Sequence, residues 1–221
     1  MILAALWWSL VKFGFRLLYH ELAFTYDWVS YVVSLGAWRC WQRTAIKHLQ
    51  APPGSSLLEL AHGTGNLQLD LNAAGYQVTG YDLSPQMGRI AQSKLRREHL
   101  PVRLAQGRAQ QLPFMNSAFA AVISTFPTNF ILEPETLREV HRVLQPGGQF
   151  LIVPNGVLTA GGFAEAGLEW LYRVTGQRDD TGFDPQTFFA AFGFDATIIQ
   201  ESCPRSIATV VHLRKIDLEI D

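Results

Sequence analysis

The sequence predicts an α/β fold: a doubly wound, mostly parallel sheet of seven strands with an antiparallel last strand and an N-terminal helical extension. Three observations carry this. From residue 56 onward, short apolar strand patterns alternate with helical patterns about five times, and such alternation gives a parallel sheet with helices on both faces. The last two strand patterns, residues 195–202 and 206–216, lie too close together for a crossover helix and read as an antiparallel pair at a mixed edge. The first 50 residues are apolar-periodic and helical, and the turn-rich stretch APPGSS, residues 51–56, divides them from the rest. Two units are therefore expected, a helical extension or lid over 1–50 and the sheet domain over 51–221.

The elements follow in order. Residues 56–61 (SLLELA) form a short apolar strand. Residues 66–74 form a helix closed by Gly75, and 76–82 (YQVTGYD) a second strand. Ser84 caps the next helix, with Pro85 at the first helical position, where a missing N–H costs nothing. Residues 102–107 and 119–126 are strands. Residues 133–144 form a helix, ended by QPGG at 145–148, a stop followed by a tight turn. Residues 149–154 (QFLIVP) are a fifth strand. A Gly-rich stretch over 155–183 precedes a helix at 184–192 and the closing strand pair.

Bulk composition narrows the function. A chain of 221 residues supports one substantial domain. A net charge of −1 gives no basic face for nucleic acid. Cys40 and Cys203 have no metal-ligand spacing, and no metal is expected. They read as two buried reduced thiols, which suits a cytoplasmic protein, with a disulfide as the alternative. The N-terminus, MILAALWWSLVKFGFRLLYHELAF, is too interrupted by Lys12 and Arg16 to span a membrane. As a helix it would carry a narrow polar stripe of Ser9, Lys12, Arg16 and His20. Two readings fit it equally: packing over the domain or against a second copy in a homodimer, or residues 1–20 lying in a membrane interface as a peripheral anchor.

The stretch from Leu57 to Ser84 carries the chemistry. Gly63 and Gly65 flank Thr64 in a turn where glycine admits positive φ and close backbone approach to a ligand. A dinucleotide fingerprint needs a third glycine at position 68, which is Gln68, and no phosphate-loop lysine follows. Glu59, at the end of the first strand, repels phosphate and suits an ammonium group. Asp82, 17 residues past Gly65, sits where a carboxylate accepts both ribose hydroxyls. A ligand that needs both acids and no phosphate is S-adenosylmethionine.

The segments LLELAHGTGNL, VTGYDLSPQM, AQGRAQQLPF and LREVHRVLQPGGQFLIV, in this order and spacing, resemble the motifs of class I S-adenosylmethionine-dependent methyltransferases, which have a Rossmann-like fold. The resemblance covers residues 57–153 strongly. It implies that Glu59, Ala61, Gly63, Thr64 and Gly65 wall the methionine end of the cofactor. It further implies that Asp82 holds the ribose, that Leu83 and Met87 line one face of the adenine, and that Ala109 and Gln110 close its edge. The chain departs from the pattern at Arg108, where the family often has an acid that accepts the adenine amino group, and at Ala120, where an acid commonly opens the fourth strand. His62 reads as a shape-filling residue rather than a base.

Residues beyond the fourth strand normally face the reacting methyl, which nominates Thr125, Phe126, Pro127 and Asn129. The Asn/Asp-Pro-Pro-aromatic motif of amino methyltransferases is missing. Residues 21–43 are similar to the opening segment of the menaquinone/ubiquinone C-methyltransferases, which implies that Tyr26 and Asp27 belong to a lid. That family's Arg-Asn pair after the fourth strand is replaced here by Pro127-Thr128-Asn129. The expected activity is methyl transfer to a small apolar or lipid-like acceptor, a quinone precursor or a phospholipid. The alternatives are a non-catalytic cofactor-binding module docked through its N-terminal helix and a nicotinamide-dependent reductase, the latter disfavoured by Gln68.

Overall fold

The computed structural model describes residues 25–159 and 185–216. Two helices come first, α1 (Tyr26–Val33) and α2 (Trp38–Lys47). Then follow β1 (Ser56–Leu60), α3 (Asn66–Ala73), β2 (Gln77–Asp82), α4 (Pro85–Arg97) and β3 (Leu104–Gln106). After β4 (Phe119–Thr125) a 3₁₀ turn at Asn129–Leu132 leads into α5 (Pro134–Val143) and β5 (Leu144–Leu158). The chain then gives α6 (Pro185–Ala190), β6 (Phe194–Cys203) and β7 (Ser206–Lys215). Residues 1–24 and most of the Gly-rich 155–183 stretch lie outside the described residues.

All seven strands join one sheet in the order β3-β2-β1-β4-β5-β7-β6. Neighbours from β3 to β5 are parallel, and β7 runs antiparallel to both β5 and β6. The seven-stranded doubly wound sheet is thus as expected, with its reversed strand second from the edge. The chain order reverses between β1 and β4, and ligands of such sheets bind beyond the carboxyl ends of the strands at that point.

Alternation along the strands fills a core on each face of the sheet. Leu58, Val122 and Phe150 face Leu137 and Val140 of α5. Leu57, Ile123 and Leu151 face Leu67 and Leu71 of α3 and Ala45 of α2. The α4 start is as read: Ser84 Oγ accepts the Met87 N–H at 3.3 Å, with Pro85 at the first position.

Two expectations need correction. The fifth strand is much longer than 149–154. The QPGG segment does not end in a free tight turn but lies within β5, where a register shift between Phe119 and Ala121 of β4 absorbs the extra residues. At the other end β7 pairs with β5 as far as Leu158, carrying the strand past Pro154 through a second register shift. The cysteines are also not reduced thiols. Cys40 of α2 is disulfide-bonded to Cys203 at the end of β6, with Cα atoms 6.0 Å apart and a sequence separation of 163. The antiparallel return through β7 brings β6 beside α2, a closeness that sequence distance conceals. The thiol argument for a reducing compartment therefore falls. Among the described residues no helix is long and apolar enough to cross a membrane.

The disulfide closes a third cluster, in which Ala37, Trp41, Leu158, Cys203 and Ala208 pack with Trp38 and Phe126. Trp41 is buried and its indole N–H donates to Ser206 Oγ at 2.9 Å. Gly156 makes room for it, because a Cβ there would lie 2.2 Å from the indole.

Candidate functional site

Residues 61–65 connect β1 to α3 through left-handed backbone: Ala61 has φ 54°, Gly63 φ 54° and Gly65 φ 81°. A Cβ on Gly63 would meet nothing within 4 Å, so this backbone faces open space. A Cβ on Gly65 would lie 2.8 Å from the Ala91 Cβ, so Gly65 lets the turn pack on α4 instead. The two glycines do different work, one exposing backbone to a ligand and one closing the helix contact.

Asp82 sits at the carboxyl end of β2 and is held by two backbone donors. Its Oδ2 accepts the Gly63 N–H at 2.9 Å and its Oδ1 accepts the Ser84 N–H at 2.8 Å. A carboxylate offers about four lone-pair sites, so two remain for a diol. The orientation is set before any ligand arrives.

Glu59 is buried behind the turn, where its carboxyl accepts the Gln68 side-chain N–H at 2.6 Å. Burial pushes its pKa up to about 8, opposed by the Gln68 hydrogen bond and reinforced by the charge of Asp82. The carboxyl is therefore largely neutral near pH 7 until a cation comes close. His62 is also buried, with Nδ1 2.9 Å from the Gly63 carbonyl; burial lowers its pKa against the pull of Asp82. Gly80 provides the space for this layer, since a Cβ there would press on both His62 and Gln68.

A cavity of about 410 Å³ opens in front of this turn, in the range of small-ligand sites. It is lined by Ala61, Gly63, Asp82, Leu83, Met87, Ala109 and Gln110 of the expected cofactor set, and by Tyr26, Thr125 and Phe126 of the acceptor-side set. Three residues of the expected cofactor set and one of the acceptor-side set do not line it. Glu59 lies behind the turn, Gly65 packs on α4, and the Thr64 hydroxyl points to α1. Asn129 lines a neighbouring cavity instead. That second cavity, about 360 Å³, has mostly apolar walls including Ile131, Leu132, Ile152, Phe189, Ile198 and Val211, and it shares Pro127 and Thr128 with the first.

Helix α1 is tied to the turn. Asp27 of α1 accepts the Thr64 hydroxyl at 2.6 Å and the Asn66 amide at 2.9 Å, and pairs with Lys94 of α4. Burial works to raise the Asp27 pKa, but the hydrogen bonds from Lys94, Thr64 and Asn66 outweigh it and hold the carboxyl below the ordinary value. The Tyr26 ring meets Trp38 edge-on, and Trp38 stacks on Phe126 with centroids 3.8 Å apart. An aromatic wall thus runs from α1 to the end of β4. Phe126 itself has φ 53°, a strained conformation for a residue with a bulky side chain.

Four residues of this arrangement escaped the sequence reading as site components: Gln68, Trp38, Lys94 and Glu133. Gln68 carried a signal, because it occupies the third position of the glycine fingerprint and was weighed there only as a missing glycine. The others carried no chemical signal: Trp38, Lys94 and Glu133 reach their partners only through the fold.

Comparison with known proteins gives the family. The ubiE/COQ5 methyltransferase family model matches residues 14–177. The chain belongs to this family. The membership bears out the S-adenosylmethionine-dependent methyltransferase reading and its cofactor. The chain is 37% identical over 164 residues to the demethylmenaquinone methyltransferase of Thermus thermophilus, an alignment covering 73% of this chain and 72% of that protein. It is 35% identical over 144 residues to the demethylmenaquinone methyltransferase of Chlorobaculum tepidum, covering 62% of this chain and 58% of that relative. The fold is similar to that of geranyl diphosphate C-methyltransferase from Streptomyces coelicolor, solved with S-adenosyl-L-homocysteine, at a TM-score of 0.61. That match has 13% identity, covers 80% of this chain and 79% of the other, and speaks for the fold alone.

The residues fit this cofactor. Gly63 leaves room at the turn, Asp82 keeps two lone-pair sites for a ribose, and the Glu59 carboxyl behind the turn would ionise beside a cation but gives no cradle for phosphate.

Proposed function

We propose that this methyltransferase acts on a quinone precursor, an aromatic ring carrying an apolar substituent. The observation that carries the proposal is the adjacency of two cavities: the site beside Asp82 and the glycine turn shares Pro127 and Thr128 as lining residues with a mostly apolar cavity of about 360 Å³, which gives such a substituent a place next to the cofactor. The relatives' names, demethylmenaquinone methyltransferase, favour a quinone over a phospholipid and an enzyme over a non-catalytic binding module.

In this reading Asp82 holds the ribose, Leu83 and Met87 pack on the adenine, and Glu59 answers the ammonium group. The bound cofactor supplies an activated methyl together with its own leaving group. The protein's share is to orient the acceptor and exclude water. Tyr26, Thr125 and Phe126 line the acceptor side, with Trp38 behind Phe126 as a flat apolar backing for a ring. The C-methylation named for the wider quinone family fits a site whose acceptor side is lined by aromatic and hydroxyl groups.

The reading includes contact with a membrane surface, where an apolar quinone precursor resides. Trp28, Tyr31 and Val32 of α1 and Leu35 just beyond it are exposed. They follow an N-terminal sequence rich in Trp, Phe and Leu with Lys12 and Arg16, a composition suited to a lipid interface.

The test is transfer of labelled methyl from S-adenosylmethionine into extracted membrane lipids and synthetic demethylated quinols. Label in the quinone fraction supports the proposal. Label confined to phospholipid, or none with any acceptor, overturns it. Liposome co-sedimentation of the full chain, with and without Trp28→Ser and Tyr31→Ser, tests the surface contact; equal pelleting would count against it.

A further inference from the structure

The position that commonly supplies an acceptor for the adenine amino group holds Arg108, whose guanidinium can only donate. Arg108 lines the cofactor cavity, beside Gly107, Ala109 and Gln110. An amino group facing donors alone would leave the adenine poorly distinguished from other bases, so an acceptor has to come from elsewhere in the wall.

The structure supplies one across the chain. Glu133, the residue capping α5, also lines this cavity, and its carboxylate accepts the Gln110 side-chain N–H at 2.6 Å. A carboxylate offers no donor when ionised. It can therefore hold a side-chain amide in one orientation only, with the NH₂ toward itself and the carbonyl turned away. Glu133 thus engages the amide through its N–H and leaves Oε1, an acceptor, for a ligand in the cavity that Gln110 lines. A free glutamine would offer donor and acceptor alternately and read nothing.

We infer that Gln110, oriented by Glu133, selects the adenine amino group in place of the acid that Arg108 displaces. Gln110 touches the base through Oε1, while Glu133 acts through Gln110 as a positioning residue. The inference rests on the assignment of S-adenosylmethionine to this cavity. The pair joins the loop after β3 to the start of α5, so base recognition is also tied to the element that follows the acceptor-side segment.

Calorimetric binding of S-adenosylhomocysteine and S-inosylhomocysteine separates the possibilities. The two ligands differ by an amino group against a carbonyl at the position read. The wild-type protein is expected to favour the adenine form by at least about 10-fold. Glu133→Gln frees the Gln110 amide to turn, and Gln110→Leu removes it. Each should reduce that ratio by about fivefold or more, while thermal melting reports that the variants are folded. A wild-type protein that does not discriminate, or a ratio unchanged in both variants, overturns the inference. A ratio that falls in Gln110→Leu alone overturns the role of Glu133. If the wild-type protein binds neither ligand, the cofactor assignment itself has failed, a result distinct from all of these.

Discussion

The Asp27 carboxylate accepts the Thr64 hydroxyl at 2.6 Å and pairs with Lys94, so one side chain of α1 is fastened both to the glycine turn and to α4. Helix α1, the glycine turn and α4 are therefore joined through one side chain. Asp27→Ala should weaken S-adenosylhomocysteine binding by about 3- to 10-fold, a modest figure because the carboxylate is partly exposed and screened. Lys94→Met should do the same, and the double variant should be less than additive, because the two residues share one network. Calorimetry on the four proteins checks this. Additive losses would show that the pair does not act together.

Glu59 gives the second prediction. Its folded-state pKa of about 8 lies above the unfolded value of 4.5. Its contribution to stability is whole below 4.5 and is lost as pH rises through 8, by roughly 4–5 kcal/mol in all at 1.36 kcal/mol per unit. Between pH 5 and 8 the ligand-free protein should lose melting temperature faster than Glu59→Gln, whose profile lacks this slope. Binding should show the opposite trend. An ammonium group near Glu59 favours the ionised carboxylate, so affinity for S-adenosylhomocysteine rises with pH toward 8. It then falls at higher pH, as the ligand's own amine loses its proton. Glu59→Gln should abolish the rising limb. An unaltered pH profile in that variant would remove the ammonium assignment.

Much of this was legible in the sequence, for definite reasons. The strand at Leu57–Leu60, the turn at Gly63 and Gly65 and the carboxylate at Asp82 are set by local pattern: a short apolar run buried on both faces, residues tolerant of positive φ, and an acid at a strand end. The Ser84 cap and Pro85 are equally local. What stayed hidden depends on topology. Cys40 and Cys203 meet only because β7 folds back between β5 and β6. Trp38 reaches Phe126, and Glu133 reaches Gln110, across elements that no spacing rule connects. The extent of β5 was missed because proline and paired glycines usually end strands, whereas here a register shift against β4 and the long β7 ladder carry the strand through them.

The disulfide makes the third prediction. Cys40 and Cys203 join α2 to the β6–β7 hairpin beside Trp38 and Trp41. Replacing both with alanine should lower stability by about 2–4 kcal/mol, the usual effect of removing a cross-link over a long loop. Because Trp38 backs Phe126, the same change should alter tryptophan fluorescence and raise the KM for the acceptor more than it alters S-adenosylhomocysteine affinity. Alkylation of the denatured, unreduced protein followed by mass measurement should find no labelled thiol. Labelling of both cysteines would show that the bond is not formed.

The apolar cavity gives the last. Ile198 and Leu132 line it yet are partly exposed, so a charge at either position perturbs folding little, as surface substitutions usually do. The same charge would meet an apolar substituent entering the cavity, and burying a carboxylate against hydrocarbon without a partner is costly. Ile198→Asp and Leu132→Asp should therefore raise KM about 10-fold or more for an acceptor with a long apolar substituent. KM for the same ring with a short substituent should change less than about threefold, and S-adenosylhomocysteine affinity should hold, since neither residue lines the cofactor cavity. Steady-state kinetics with the two acceptors decide the matter. Equal effects on both would mean that the substituent lies elsewhere, and that the cavity beside Pro127 and Thr128 serves packing rather than substrate.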